Sequence, residues 1–178
     1  MEDPPGDGPR EDNRSLVEPL VLFGIQYSAS LIAYALMAYW YVGPRLSKLP
    51  REAALVPLLW VHVFRIVGGS ILAPGAVEAS VPADFRVMIG YGDLTTAFLA
   101  LVALVALRAR FSGAIALVWL CAIVAAVDTV NAIVQSVRGS VFTYALGVNW
   151  VIVVMYVPAL IVTNVLIFMQ LLRRDRST

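Results

Sequence analysis

The chain is short of almost everything that enzyme chemistry uses. It contains one cysteine, Cys121, one histidine, His62, and one lysine, Lys48, in 178 residues. One cysteine excludes an intrachain disulfide and any multi-cysteine metal site. Lying in a long apolar run, Cys121 reads as a small packing residue. A lone histidine cannot supply bis-histidine haem ligation, nor a zinc site with a cysteine on another helix, and leaves only single axial ligation formally open. Lys48 sits in a polar connection, which excludes a retinal-type Schiff base inside a bundle. A glycine-rich phosphate loop, a nucleophile elbow and an HExxH signature are also missing. No catalytic residue, metal ligand or cofactor is therefore expected. Charge is scarce too. Charged residues make up 14% of the chain, against about 25% in soluble domains. The net charge of +1 comes without a basic stripe, so nucleic acid is not an expected partner.

What fills the chain instead is apolar sequence, 60% of its residues. Crossing a bilayer takes about 20 mostly apolar residues, and several runs are that long. Their continuity, rather than alternation over roughly ten residues, excludes a transmembrane β-barrel. The expected fold is all-α: a polytopic membrane protein with a five-helix bundle spanning about 19–42, 53–73, 87–107, 113–136 and 145–172. Residues 19–172 form the transmembrane domain. Residues 1–18 form an acidic, Pro/Gly-rich extracytoplasmic tail, expected to be disordered alone. That tail lacks the basic start of a cleavable signal peptide, so the first apolar run is expected to stay in the membrane. Residues 173–178 form a basic cytoplasmic tail.

Orientation follows from charge. Arg45, Lys48, Arg51, Arg108, Arg110, Arg173, Arg174 and Arg176 fall on one face, eight of the thirteen Lys and Arg residues. The positive-inside rule makes that face cytoplasmic. The N-terminus is then outside and the C-terminus inside, as an odd number of spans requires. Tyr39, Trp40 and Tyr41 near one end of the first span, and Tyr144 and Trp150 near the start of the fifth, suit interfacial positions. Pro158 removes one backbone hydrogen bond from the fifth span and exposes the Val154 carbonyl, so a kink is expected there. The longest outer loop, ILAPGAVEASVPADFR, reads either as an ordinary ordered connection or as a cap over the external mouth.

Against this background the ionisable groups within the spans stand out. Insertion of a charged residue at the centre of a membrane helix costs about 2.5–3.5 kcal/mol. His62, Arg65, Asp93 and Asp128 therefore need partners or a wet cavity. With about 1.5 Å rise per residue, Arg65, Asp93 and Asp128 fall within roughly one turn of the same depth in the outer half. Gln26 and Asn149 lie in the same third, His62 one turn deeper than Arg65, and Asn131 one turn shallower than Asp128. Gly90, Asp93, Ala97 and Ala100 form one small-residue stripe, and Cys121, Ala125, Asp128 and Ala132 another, which turns both aspartates toward helix contacts. In one reading Arg65 bridges both carboxylates while Asn131 and Gln26 complete the hydrogen bonds. In the other, one arginine against two aspartates leaves an excess carboxylate that holds a proton or cation. His62 reads as a satisfied core histidine or as a proton-relay member. Thr163 and Asn164 suit an interhelical hydrogen-bond pair.

The runs FRIVGGSILAPG and VPADFRVMIGYGDL resemble a set of uncharacterised bacterial multi-pass membrane proteins with an FRxVG helix followed by a GxGD step. Phe64, Arg65, Val67, Gly68, Pro82, Phe85, Gly90, Gly92 and Asp93 carry the resemblance, which covers about a third of the chain. Arg86 and Tyr91 depart from it. It implies a multi-pass location in the cell inner membrane and no chemistry. The function expected from the residues is a small binding or transport-type protein with an outer-leaflet site, candidates His62, Arg65, Asp93, Asp128, Asn131 and Gln26, for a proton, cation or small polar ligand. The alternative is a non-catalytic accessory subunit of a larger membrane complex. An enzyme acting on lipid or quinone ranks lowest. The bilayer is the expected partner, with other membrane subunits or self-association as the candidate protein contacts.

Overall fold

Apolar runs of this length have one economical solution, helices whose backbone bonds are all internal. The computed structural model describes residues 13–173, with side chains from Pro19 onward. Among the described residues there is no strand. Five helices are long and apolar enough to cross a membrane: α1 (Pro19–Leu46), α2 (Arg51–Leu72), α3 (Ala83–Arg108), α4 (Ala114–Arg138) and α5 (Val148–Leu172). The helix that becomes α1 already begins at Asn13, inside the stretch expected to be a disordered tail. Apolarity marks where hydrocarbon can start, whereas a helix can continue into water because its bonds stay internal. The rest of that tail, and residues 174–178 of the basic tail, lie outside the described residues.

The connections divide the bundle into two ends. A short-loop end carries residues 47–50 and 109–113, and a long-loop end carries residues 73–82 and 139–147. In the short-loop half the core is solid. Leu55 and Leu59 of α2 pack with Ala100, Ala103 and Leu104 of α3 and with Ala122 of α4. Small residues on one helix let large ones on the next approach closely, which is how membrane helices gain packing without a hydrophobic drive between them. Arg173 fastens this end by donating to the carbonyls of Leu46 (3.3 Å) and Leu49 (2.7 Å). It thereby adds side-chain hydrogen bonds to carbonyls at the end of α1 and in the turn that follows.

Three stretches depart from regular α-helix. Residues Phe64–Leu72 of α2 form a 3₁₀ helix, which is long for that geometry because side chains at i and i+3 eclipse. The sequence relieves the crowding. Glycine stands in the middle of two of the three ladders, Arg65–Gly68–Ile71 and Ile66–Gly69–Leu72. Residues Ala38–Val42 of α1 and Ile152–Tyr156 of α5 are π-helical. Each precedes a proline by the same interval, Pro44 and Pro158, and in each the residue before the proline donates five residues back, Gly43 to Ala38 and Val157 to Ile152. A proline ring clashes with the carbonyl four residues earlier, and the wider π turn makes room for it. Pro158 thus acts through a local widening of the turn that precedes it.

At the long-loop end the two connections are stitched together. Val77, Val81, Val141, Leu146 and Ile71 form a second, smaller core. The Glu78 N–H donates to the Ala145 carbonyl (3.0 Å), and the Ala145 N–H donates to Glu78 Oε2 (2.9 Å). Asn149 donates to the Ala76 carbonyl (3.3 Å) and accepts from Ser70 (3.0 Å). Gly147 permits the close approach: its φ is +55°, and a Cβ there would lie 3.1 Å from the Ala76 oxygen. The 73–82 loop is therefore docked on its neighbour.

The Ala145 N–H and the Ser80 hydroxyl, both donating to Glu78, hold its carboxyl below its ordinary value. A depressed carboxyl stabilises the folded form above its unfolded value, and that contribution disappears as pH falls through the folded one. Hydrogen-exchange protection of the 73–82 and 141–147 amides, each rate referred to that of the free peptide at the same pH, should therefore fall on acidification through the carboxylate range. Glu78→Ala should show the faster exchange already at neutral pH and lose the acid response. Unchanged exchange in the variant would show that the apolar core alone docks the loops.

Candidate functional site

The site begins with the change of helix type in α2. From Ala54 to His62 the buried positions follow α spacing, Ala54, Leu55, Leu58, Leu59 and His62. Beyond it they repeat every third residue, Arg65, Gly68 and Ile71, the period of a 3₁₀ helix. Arg65 thus stays on the inward line, only 4% exposed. All three of its guanidinium nitrogens are engaged. Nε donates to Asp93 Oδ1 of α3 at 2.5 Å, and Nη2 donates to Asp128 Oδ2 of α4. Nη1 donates to Thr129 Oγ1 (3.2 Å) and to the Ala125 carbonyl (3.5 Å).

Each carboxylate is seated on a glycine of the preceding helix. A Cβ on Gly68 would occupy the Asp93 carboxylate, and one on Gly92 would collide with Asp128 Oδ1. Neighbouring contacts follow the same scheme. Leu72 lies over Gly90, where an added Cβ would meet its Cγ at 2.5 Å, and Leu94 lies over Gly69 at 3.0 Å. Helices α2, α3 and α4 are therefore brought close by glycine, and the charges sit in the space the missing side chains leave.

Beside the trio lies a cavity of about 330 Å³, at the lower end of the range for small-molecule sites. It lies between the solid core of one half and the loop core of the other. Its walls are apolar, among them Phe23, Ile71, Ile89, Leu146 and Val153, while Arg65, Asp93, Asp128 and Thr129 form its polar floor. The two carboxylates keep 15% and 16% of their side-chain area exposed, against 4% for Arg65. The aspartates are thus the more exposed members of a trio that lines the cavity as a whole. Tyr27 of α1 also lines it, and its buried hydroxyl has no hydrogen-bond partner.

The six sequence candidates separate into one group of three and three separate residues. Arg65, Asp93 and Asp128 meet. Asn131 and Gln26 do not complete the trio as expected. Asn131 donates to Met88 Sδ of α3 (3.1 Å), and Gln26 accepts from Trp150 Nε1 of α5 (2.8 Å). The reason is angular. Arg65 reaches α4 along the line of Ala125 and Thr129, spaced i,i+4, whereas Asn131 follows Asp128 on the side toward α3. His62 is buried away from the cavity lining, with Nε2 3.3 Å from Thr163 Oγ1. The Thr163 hydroxyl also lies within hydrogen-bond distance of the Ala159 (2.8 Å) and Leu160 (3.2 Å) carbonyls. The Nδ1 of His62 is buried without a partner. Asn164 donates to the Ala122 carbonyl of α4 (3.3 Å), and Thr163 meets His62 of α2, so both residues make interhelical hydrogen bonds as expected.

Sequence reading passed over Thr129, Tyr27 and the seat provided by Gly92. A signal for Thr129 existed. Ala125, Thr129, Ala132 and Ser136 follow a 4-3-4 spacing parallel to the stripe that was read, and the last three line the cavity. Nothing in the sequence marks Tyr27, whose place depends on how α1 packs.

The family model for a domain of unknown function, DUF8737, matches residues 22–172. The chain belongs to that family. No curated protein and no solved structure matches it.

A methyl group at Gly92 should force Asp128 off its bond to Arg65. Gly92→Ala should therefore cost about 1–3 kcal/mol, the usual range for overpacking, read by reversible denaturation in detergent. Gly24→Ala is the control, because a Cβ there meets nothing within 4 Å. Equal stability of the two variants would refute the seating of the carboxylate on glycine.

Proposed function

We propose that this DUF8737 protein is a small binding or transport-type protein of the cell inner membrane, holding a proton, cation or small polar ligand at the Arg65–Asp93–Asp128 trio. The orientation proposed is N-terminus out and C-terminus in. Arg45, Lys48, Arg51, Arg108, Arg110 and Arg173 all belong to the short-loop end, and the positive-inside rule makes that end cytoplasmic. The stitched loops then face outward, and the trio lies in the outer leaflet.

One observation carries the reading: all three members of the trio line a cavity, and the two aspartates are more exposed than the arginine. A purely structural ion pair gains most when every polar atom is satisfied by protein. Here the trio borders open space, and with both carboxylates ionised its formal charge is −1. One positive unit balances it, either a proton on a carboxylate or a cationic group in the cavity. His62 has no necessary part in this, since it does not line the cavity and its one bond leads to Thr163.

Charge movement tests the proposal. Proteoliposomes on a solid-supported membrane should give a transient current on a jump in external pH or in ammonium concentration. Asp128→Asn leaves one arginine facing one aspartate, a balanced pair, and should fold yet abolish the current. Silence of the wild type to proton, sodium and ammonium jumps would sink the reading and leave the trio as a fixed structural network, the role of an accessory subunit.

A further inference from the structure

We infer that the ligand of this cavity is a monocationic amphiphile, an alkyl chain ending in a protonated amine, and that it is admitted from the outer leaflet between α1 and α4. The inference rests on the binding role proposed above and adds ligand class and route.

The class follows from how polar and apolar surface are divided. A proton or bare metal ion needs no apolar chamber, yet the floor is carboxylate while the walls are Phe23, Ile71, Ile89 and Leu146. Lipid tails are as apolar as these walls, so moving a chain from bilayer to cavity is close to neutral. Recognition therefore falls to the head. Arg65 is a poor seat for an anionic head, because four of its five N–H donors are already committed to Asp93, Asp128, Thr129 and Ala125. What remains is acceptor oxygen on two carboxylates with an uncompensated negative charge, which suits an ammonium donor.

The route follows from exposure. Of the residues lining the cavity, only Leu20 of α1 and Ile133 and Val137 of α4 are exposed, at 54%, 41% and 64%. All three lie on helix surface near the long-loop end. On the aqueous side, the lining residues Val141, Leu146 and Asn149 are buried beneath the stitched loops. Helix α1 is held on the other side of the gap, by Phe23 against Phe142 and Trp150 (ring centroids 4.2 and 5.5 Å) and by the Gln26–Trp150 bond.

The test uses the full chain in phosphatidylcholine nanodiscs, with empty nanodiscs as blank, and decylamine as probe beside decanol and decanoate. Decylamine should bind saturably at one site per chain. Decanol and decanoate should bind about tenfold to a hundredfold more weakly, as expected for loss of one charge-assisted hydrogen bond. Asp128→Asn should lose the preference for amine over alcohol. Val137→Trp, a change at an exposed position, should slow decylamine binding at the mouth while the wild-type fold persists. Equal binding of amine and alcohol to the wild type would overturn the ligand class, and an unchanged on-rate in Val137→Trp would overturn the route. Absence of decylamine binding together with an intact pH-jump current would reject the amphiphile and keep the proton or cation site. Absence of both would reject the two proposals together.

Discussion

One guanidinium shared between two carboxylates is the interaction on which the rest of this bundle depends. Arg65 ties α2 to both α3 and α4. Loss of Arg65 would strand two carboxylates, and removing one partner from a buried pair costs about 3–5 kcal/mol. That is a large fraction of the total stability of a typical domain. The trio therefore sets the register of three helices at once. It also explains why glycine recurs beside it. Asp93 over Gly68 and Asp128 over Gly92 are contacts that any larger residue would exclude.

The irregular helix segments serve the same constraint. A continuous α-helix through 64–72 would rotate successive positions by about 100° each, taking Arg65, Gly68 and Ile71 off one line. The 3₁₀ geometry keeps them on it. The change of geometry disturbs the backbone near Val61, whose carbonyl accepts from the Tyr156 hydroxyl of α5. Tyr156 in turn closes the π segment that precedes Pro158, and Ile152, Val153 and Val157 around that segment line the cavity. Two departures from α-helix on neighbouring elements are thus joined by one hydrogen bond.

The two halves of the molecule divide the work of packing. In the short-loop half, alanines and leucines interdigitate into a closed core. In the long-loop half, the connections make their own small core, and between the two there is empty space beside the charges. A site of this form combines a rigid base with a roof whose stability depends on few contacts. Glu78 and Asn149 supply the polar contacts of that roof, and both are legible only once the two loops are placed together.

Much of the fold could be read from residue order alone, because membrane-length apolar runs leave the backbone one economical conformation and because 3.6-residue periodicity puts Asp93 and Asp128 on small-residue stripes. Depth bookkeeping was enough to bring Arg65 near both, since rise per residue is nearly constant along a helix. It did not choose between Asn131 and Thr129 as the additional partner, or place Gln26 against Trp150. Those choices depend on the angle at which each helix presents its face, and neighbouring residues on α4 differ by about 100° in direction. The change to 3₁₀ in α2 also depends on the neighbours. The paired glycines permit it, but the contact with α3 and the pull of two carboxylates on Arg65 decide it. The apolar character, the number of spans and the identity of the charged trio belong to the sequence, because each follows from local chemistry. The cavity, its acceptor-lined floor and the gap between α1 and α4 belong to the tertiary structure alone, because empty space is defined by which side chains fail to meet.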